Sequence, residues 1–209
     1  MGEFQSLDRA IGILFCFTKE QQQLSAEEIA LRVDLPKGSV YRYINALLKH
    51  GLLEKVSGTT EYRYGYRLLY FSSVIGYRNI LDHISTSYLE RLAEATRETV
   101  SLTTIHGDNS VVIKQIESNA TVRVAPIVGM PGPIHAGANN KVIIAFRPES
   151  EWERVCRMGL RRMTPHTIID CDEFRAELRR IRTAGYAVSD QEMHVGAWGV
   201  SAPILDANG

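Results

Sequence analysis

Apolar positions follow a helical period at the start of the chain, with Leu7, Ala10, Ile11, Leu14 and Phe15 on one face of a first amphipathic helix. Ser25-Ala26-Glu27-Glu28 has the form of a capping box, the serine oxygen accepting from a first-turn amide while Glu28 reaches back. It opens a short helix with Ile29, Ala30 and Val33 inward, and Pro36 and Gly38 then break the pattern. A third helix carries Val40, Ile44, Leu47 and Leu48 on one face. Lys37, Ser39, Tyr41, Arg42, Asn45 and Lys49 lie opposite, and Gly51 suits the left-handed position past its end. The period then falls to two, so that residues 52–56 and 61–66 predict strands around a turn at 57–60. Two short helices joined by a tight turn, the second basic outward and followed by a two-stranded wing, predict a winged helix-turn-helix. An ordinary three-helix bundle with a solvated polar face is the alternative.

The pattern is helical again over 68–97, interrupted near Gly76 and Asn79, which predicts two helices. The first would be a linker helix whose apolar positions, spread around much of its surface, call for burial by more than its own domain; a plain packing helix is the bland alternative. From Thr99 the period is two: Val100, Leu102 and Thr104 alternate with Ser101 and Thr103, the chain turns at 106–109, and 110–117 returns. A third strand is expected at 121–125, halted by Pro126. A Gly/Pro loop at 129–133 precedes helices at 136–146, 148–159 and 172–184, and 186–189 and 200–205 read as strands. An antiparallel sheet with helices on one side is an α+β layer domain.

Composition changes this picture little. Hydrophobic residues make up 44% and charged residues 23% of 209, as in an ordinary globular protein long enough for two domains. No run approaches a membrane span, no basic-then-apolar export segment opens the chain, and three cysteines (Cys16, Cys156, Cys171) fit no disulfide or zinc spacing, so a cytoplasmic protein is expected. Charge changes it more. The formal net charge is zero, yet residues 37–67 hold six basic side chains against two acidic ones, while 1–36 are acidic. One face of the first domain is therefore basic, as a phosphate backbone requires. On that face Arg42 can fork onto guanine, Asn45 can pair with adenine, Lys37 and Ser39 can hold phosphate, and Arg63 in the wing can reach the backbone or a minor groove. Tyr41 shares the outward face. Tyr64 and Tyr66 read better as hydrophobic cover for the wing and the next helix.

Chemistry is harder to find. The six histidines are scattered and make no metal-ligand pair. His135, beside the Gly/Pro loop, would need Cys156 or Cys171 as nucleophile and a third orienting group, so it reads as a loop organiser. The glycines at 129–137 lack the spacing of a dinucleotide loop. No catalytic set, metal or cofactor is expected.

Ser6-Leu7-Asp8-Arg9-Ala10, the stretch 25–49, and Tyr62-Arg63-Tyr64-Gly65 followed by Leu68 resemble the winged domain of the IclR family of bacterial regulators, and the resemblance continues to the end of the chain. It implies a winged helix-turn-helix at 1–67, a linker helix at 68–82 that also pairs protomers, and a GAF-like effector-binding domain at 83–209. Residues 129–146 resemble the family's loop-plus-helix segment, with Pro133, His135, Ala136, Lys141 and Ala145 at matching places. Gly185, Gly196 and Ser201-Ala202-Pro203 match its effector-side loop and strand. Carried over, the effector pocket comprises Ala138, Asn139, Asp190, Gly199 and Ser201. Its ligand would be a small organic effector, a carboxylate or a hydroxylated or aromatic acid. Gly199 stands where many relatives have cysteine, and Asn139-Asn140 where they have small apolar residues and glycine, which implies a different or larger ligand. Trp198 can wall an aromatic ligand or serve as core. The partners implied are double-stranded operator DNA and a second copy, in a dimer or a dimer of dimers, with no membrane. The family continues with another strand and a C-terminal helix, so the turn-like Asp206-Ala207-Asn208-Gly209 implies a chain short of that pattern. A DNA-linked enzyme and a structural DNA-bridging protein are the competing functions.

Overall fold

The computed structural model describes residues 5–76, 80–121, 123, 124 and 126–205. The chain divides into two compact units, Met1–Ile80 and Leu81–Gly209. Among the described residues no helix is long and apolar enough to cross a membrane.

The first unit runs α1 (Gln5–Leu14), β1 (Leu24–Ser25), α2 (Ala26–Val33), α3 (Lys37–Lys49), β2 (Leu53–Lys55), β3 (Glu61–Tyr64) and α4 (Arg67–Gly76). The predicted capping box is present: Glu28 N donates to Ser25 Oγ at 3.2 Å and Ser25 N to Glu28 Oε2 at 2.8 Å, satisfying first-turn amides that the helix itself leaves open. Ile13, Leu24, Ile29, Val40, Ile44 and Leu53 are fully buried in one core that ties the three helices to the wing. The two-residue β1 has too little sequence to show a period, and it was not expected. It pairs with β3 (Leu24↔Tyr62) and makes the wing three-stranded, in the order β1-β3-β2. The wing strand ends at Tyr64 rather than at 66 because Gly65 passes against the turn after α3. A Cβ on Gly65 would lie 2.1 Å from the Gly51 carbonyl oxygen. Tyr64 leans toward the end of α1, its ring 5.0 Å from that of Phe17 and its hydroxyl donating to the Leu14 carbonyl, but it stays exposed, as does Tyr66, a correction to the hydrophobic cover expected of both.

The second unit contains α5 (Ile80–Thr96), β4 (Val100–His106), β5 (Asn109–Ile116), β6 (Pro131–Gly132), α6 (Ala138–Ala145), α7 (Glu149–Met158), α8 (Cys171–Ala184), β7 (Ala187–Asp190) and β8 (Trp198–Ser201). The break expected near Gly76 and Asn79 concerns residues 77–79, which lie outside the described residues. The third strand is a correction. Of residues 121–125, the described ones form no strand, and β5 pairs instead with β6 inside the Gly/Pro loop (Ser110↔Gly132). Val122 and Ala125 lie outside the described residues. The last strand lies at Trp198–Ser201 rather than 200–205, in a separate ribbon with β7 (Ser189↔Gly199). Helices cover both faces of the β4–β5 ladder rather than one. Asn139 of α6 reaches Ser101 and Thr103 on one side, and Lys114, paired with Leu102 on the other, bonds Thr86 of α5. Trp152, Phe174, Leu178 and Ile181 pack against α6 in the second core. Arg182 crosses the Trp152 ring at 4.5 Å and donates to the carbonyls of Ala145 and Arg147, closing the C-terminal end of α6.

Candidate functional site

In the first unit the burial of Val40, Tyr43, Ile44 and Leu47 turns the opposite side of α3 to solvent. Tyr41, Arg42, Asn45 and Lys49 are exposed there, and Ser39 is half-buried. Arg42 lies over the Tyr43 ring at 5.3 Å, a contact that orders its stem and leaves its guanidinium without an acidic partner among the described residues. The other two basic candidates are differently placed. Lys37 forms an ion pair with Glu27 at 3.0 Å, and Arg63 with Glu54 at 2.6 Å. The hydrogen bond from Lys37 holds the Glu27 carboxyl below its usual value. Both pairs are exposed, so each acid stands where a phosphate oxygen would compete with it.

In the second unit the N-terminus of α6, β4 and β8 converge. Asn139 Nδ2 donates to Ser101 Oγ and Thr103 Oγ1, both at 3.0 Å, and Ser201 Oγ donates to Asn139 Oδ1. Gly199 faces Ala138: a Cβ there would lie 3.7 Å from the alanine methyl. Four of the five sequence-derived residues (Ala138, Asn139, Gly199, Ser201) therefore come together. The fifth, Asp190, does not join them. The ribbon alternates, with Ala187, Ser189, Gly199 and Ser201 inward and Asp190, Trp198 and Val200 outward, and the Asp190 carboxylate accepts from the Gln191 side chain. Trp198 is 69% exposed, so it is neither core nor a wall on this side. Ser101 and Thr103 were missed as site residues. Their signal was two hydroxyls at alternate strand positions, read as the polar side of a strand rather than as a face covered by a helix.

One turn along α6, Lys141 is 1% exposed and is held by three acceptors: Glu177 at 2.9 Å, the Val188 carbonyl at 3.1 Å, and Glu192. Glu192 also accepts from Gly137 N at 3.2 Å. Burial raises the Glu177 carboxyl, but hydrogen bonds from Arg180 and Lys141 outweigh it and hold the group below its usual value. This network fastens the β7–β8 loop to the start of α6, and so fixes the frame around Asn139.

Among the described residues no catalytic arrangement forms. His135 is buried with Nε2 2.8 Å from the Arg161 carbonyl, the loop-organising role expected of it. The Cys156 thiol is pushed up to about 12 by burial and by its hydrogen bond with Cys171, which disfavours the nucleophilic thiolate. Among the described residues no three His, Cys, Asp or Glu side chains gather to hold a metal. An open cleft of about 580 Å³ lies instead in the first unit, lined by Asp8, Arg9, Cys16, Arg32 and neighbours. Its Arg32 is committed to the Cys16 carbonyl and to Gln21, and burial raises the Cys16 thiol.

Residues 6–57 match the IclR helix-turn-helix domain, and residues 73–209 match the C-terminal domain described as bacterial transcriptional regulator IclR C-terminal. The chain belongs to the IclR family. Among its relatives is the HTH-type transcriptional regulator BhcR of Paracoccus denitrificans, 31% identical over all of this chain and 75% of its own length. The crystal structure of the Thermotoga maritima IclR superposes with a TM-score of 0.80 at 29% identity, covering 99% of this chain and 84% of that one. An IclR homologue from Microbacterium hydrocarbonoxydans, complexed with 4-hydroxybenzoate, shares the fold with a TM-score of 0.78 at 23% identity, over 97% of this chain and 84% of its own. Membership of this IclR family makes the chain a helix-turn-helix transcriptional regulator and not an enzyme.

Proposed function

We propose that this regulator reads operator DNA with α3 and the wing, and senses a small organic acid or hydroxylated effector in its second unit. The working division is a DNA-binding domain at 1–67, a linker helix at 68–82 and an effector domain at 83–209, with a dimer or dimer of dimers as the binding unit. Arg42 and Asn45 read bases; Lys37, Ser39, Tyr41 and Arg63 position the backbone. The effector contacts Ala138, Asn139, Gly199 and Ser201, and Asp190 restrains the adjoining loop from the outer side of the ribbon.

The observation that carries the effector reading is the convergence of Asn139, Ser101, Thr103 and Ser201, polar side chains from three elements meeting inside a covered layer. The aromatic hydroxy acid held by a structural relative supports the ligand class. The test is DNA binding with and without candidate acids, beside calorimetry of the same acids on the parent, Asn139→Leu and Ser201→Val. Effector binding is expected to change operator affinity by about 1–3 kcal/mol, the usual coupling between two sites. Unchanged ligand affinity in both variants would place the effector elsewhere.

A further inference from the structure

The face of β4 that meets Asn139 also carries an unanswered acceptor on its neighbour. Gln115 stands directly opposite Ser101 in the β4–β5 register, so the two side chains leave the ladder on the same side, that of α6. Gln115 Oε1 is buried, and no donor among the described residues reaches it. Buried polar atoms are paired in the great majority of cases, so an orphan beside a candidate site marks a missing partner. Ser101 and Thr103 each accept one hydrogen bond from Asn139, and each keeps a hydroxyl proton that no described acceptor takes. Two O–H donors and one acceptor, all neutral, therefore lie on one wall.

We propose that Gln115, with Ser101 and Thr103, forms a subsite for an uncharged hydroxyl of the effector and sets a preference for hydroxylated over deoxy ligands. The inference rests on the effector reading above and deepens it. A ligand hydroxyl accepts from Ser101 or Thr103 and donates to Gln115 Oε1. Because it does both, it also satisfies the amide turned over. With the amide as it stands, a carboxylate in the same place takes the two hydroxyl protons but sets its charge against the Gln115 oxygen, and only the amide turned over would meet it. Lys141, the cation of α6, offers it no help, being held by Glu177 and Glu192. An apolar group leaves the acceptor orphaned.

The test is calorimetry on the full chain with two matched pairs of probes, 4-hydroxybenzoate against benzoate and lactate against propionate. In at least one pair the hydroxylated member is expected to bind about tenfold or more tightly, since a site built for a hydroxyl rejects the analogue lacking it. Gln115→Met should bring the ratio of the two affinities in that pair to near one. It should also raise the thermal midpoint of the ligand-free chain, because the orphaned acceptor is gone. A ratio near one in both pairs, a ratio retained in Gln115→Met, or failure of both hydroxy acids to bind overturns the subsite. Asn139→Leu and Ser201→Val separate the two readings. If they leave probe binding intact, the effector site itself is misplaced. If they weaken both members of a pair while the preference survives Gln115→Met, only the subsite falls.

Discussion

Lys141 carries a charge into the interior, and its environment shows what the residue scale can decide. Removing one partner of a buried ion pair leaves the other charge uncompensated, so Lys141→Met is expected to destabilise the second unit by about 3–5 kcal/mol in denaturant unfolding. Glu192→Gln in the same chain should recover part of that loss. The depressed carboxyl of Glu177 adds a pH dependence: its contribution is full above the ordinary value of 4.5 and disappears as pH falls through the lower folded value, so acid melts should show it. On the DNA face the same reasoning concerns exposed pairs, which are weak. Among the described residues Arg42 has no acid to release, and on the proposed readout Arg42→Ala should weaken specific binding by about 1–3 kcal/mol. Arg63 must first leave Glu54. Glu54→Gln should therefore tighten binding to any DNA sequence by about two- to five-fold and steepen its salt dependence, and should have a smaller effect in an Arg63→Ala background. Asn139 was legible in the sequence through the family resemblance. Its partners were not, because Ser101 and Thr103 lie far away along the chain and meet it only through packing.

At the scale of the element, the helix signals that the chain announces locally are what the structure contains. The capping box at Ser25, the stop at Pro36, the glycine after α8 and the period of α3 are short-range physics, and those helices form within two residues of their expected ends. Pairing between distant strands is different. Nothing in Leu24–Ser25 distinguishes a strand from a helix approach until β3 supplies its partner, and β6 forms from a Pro/Gly pair that propensity alone assigns to a loop. Gly65 marks one such long-range constraint. Its Cβ would meet backbone rather than a side chain that could turn away, so Gly65→Ala must push the wing off the turn after α3. A loss of about 1–3 kcal/mol in the first unit is expected, read as a lowered thermal midpoint, with DNA affinity falling alongside because Arg63 travels with the wing. Gly58→Ala at the tip of the wing is the control. No neighbour crowds that position, so only the cost of its positive φ of 79° should appear.

At the scale of the whole molecule the open question is what covers α4. Leu69, Tyr70, Phe71 and Val74 are all exposed on it, and the Tyr70 and Phe71 rings meet edge-on at 6.0 Å, so consecutive turns present aromatic and aliphatic surface to solvent. Contiguous apolar surface of this kind marks an interaction site more often than a free face. The dimer proposed above supplies an occupant, a second copy. One short recognition helix contacts too few base pairs for operator-level affinity, whereas two heads related by a two-fold axis read a palindrome with a fixed half-site spacing. Along α4 Phe71 is exposed, Leu68 is half-buried, and the Ile75 side chain lies outside the described residues. Phe71→Glu is therefore the informative substitution. It places a charge on the apolar surface without disturbing a buried group, so the far-ultraviolet dichroism should match the parent. Sedimentation at micromolar concentration should show the parent as a dimer or larger and the variant as a monomer. Operator affinity should fall about a hundredfold, because the second head then binds without the first to hold it near the DNA. A variant that stays dimeric removes α4 from the interface. A monomer that still binds the operator as tightly as the parent removes the dimer from the reading mechanism.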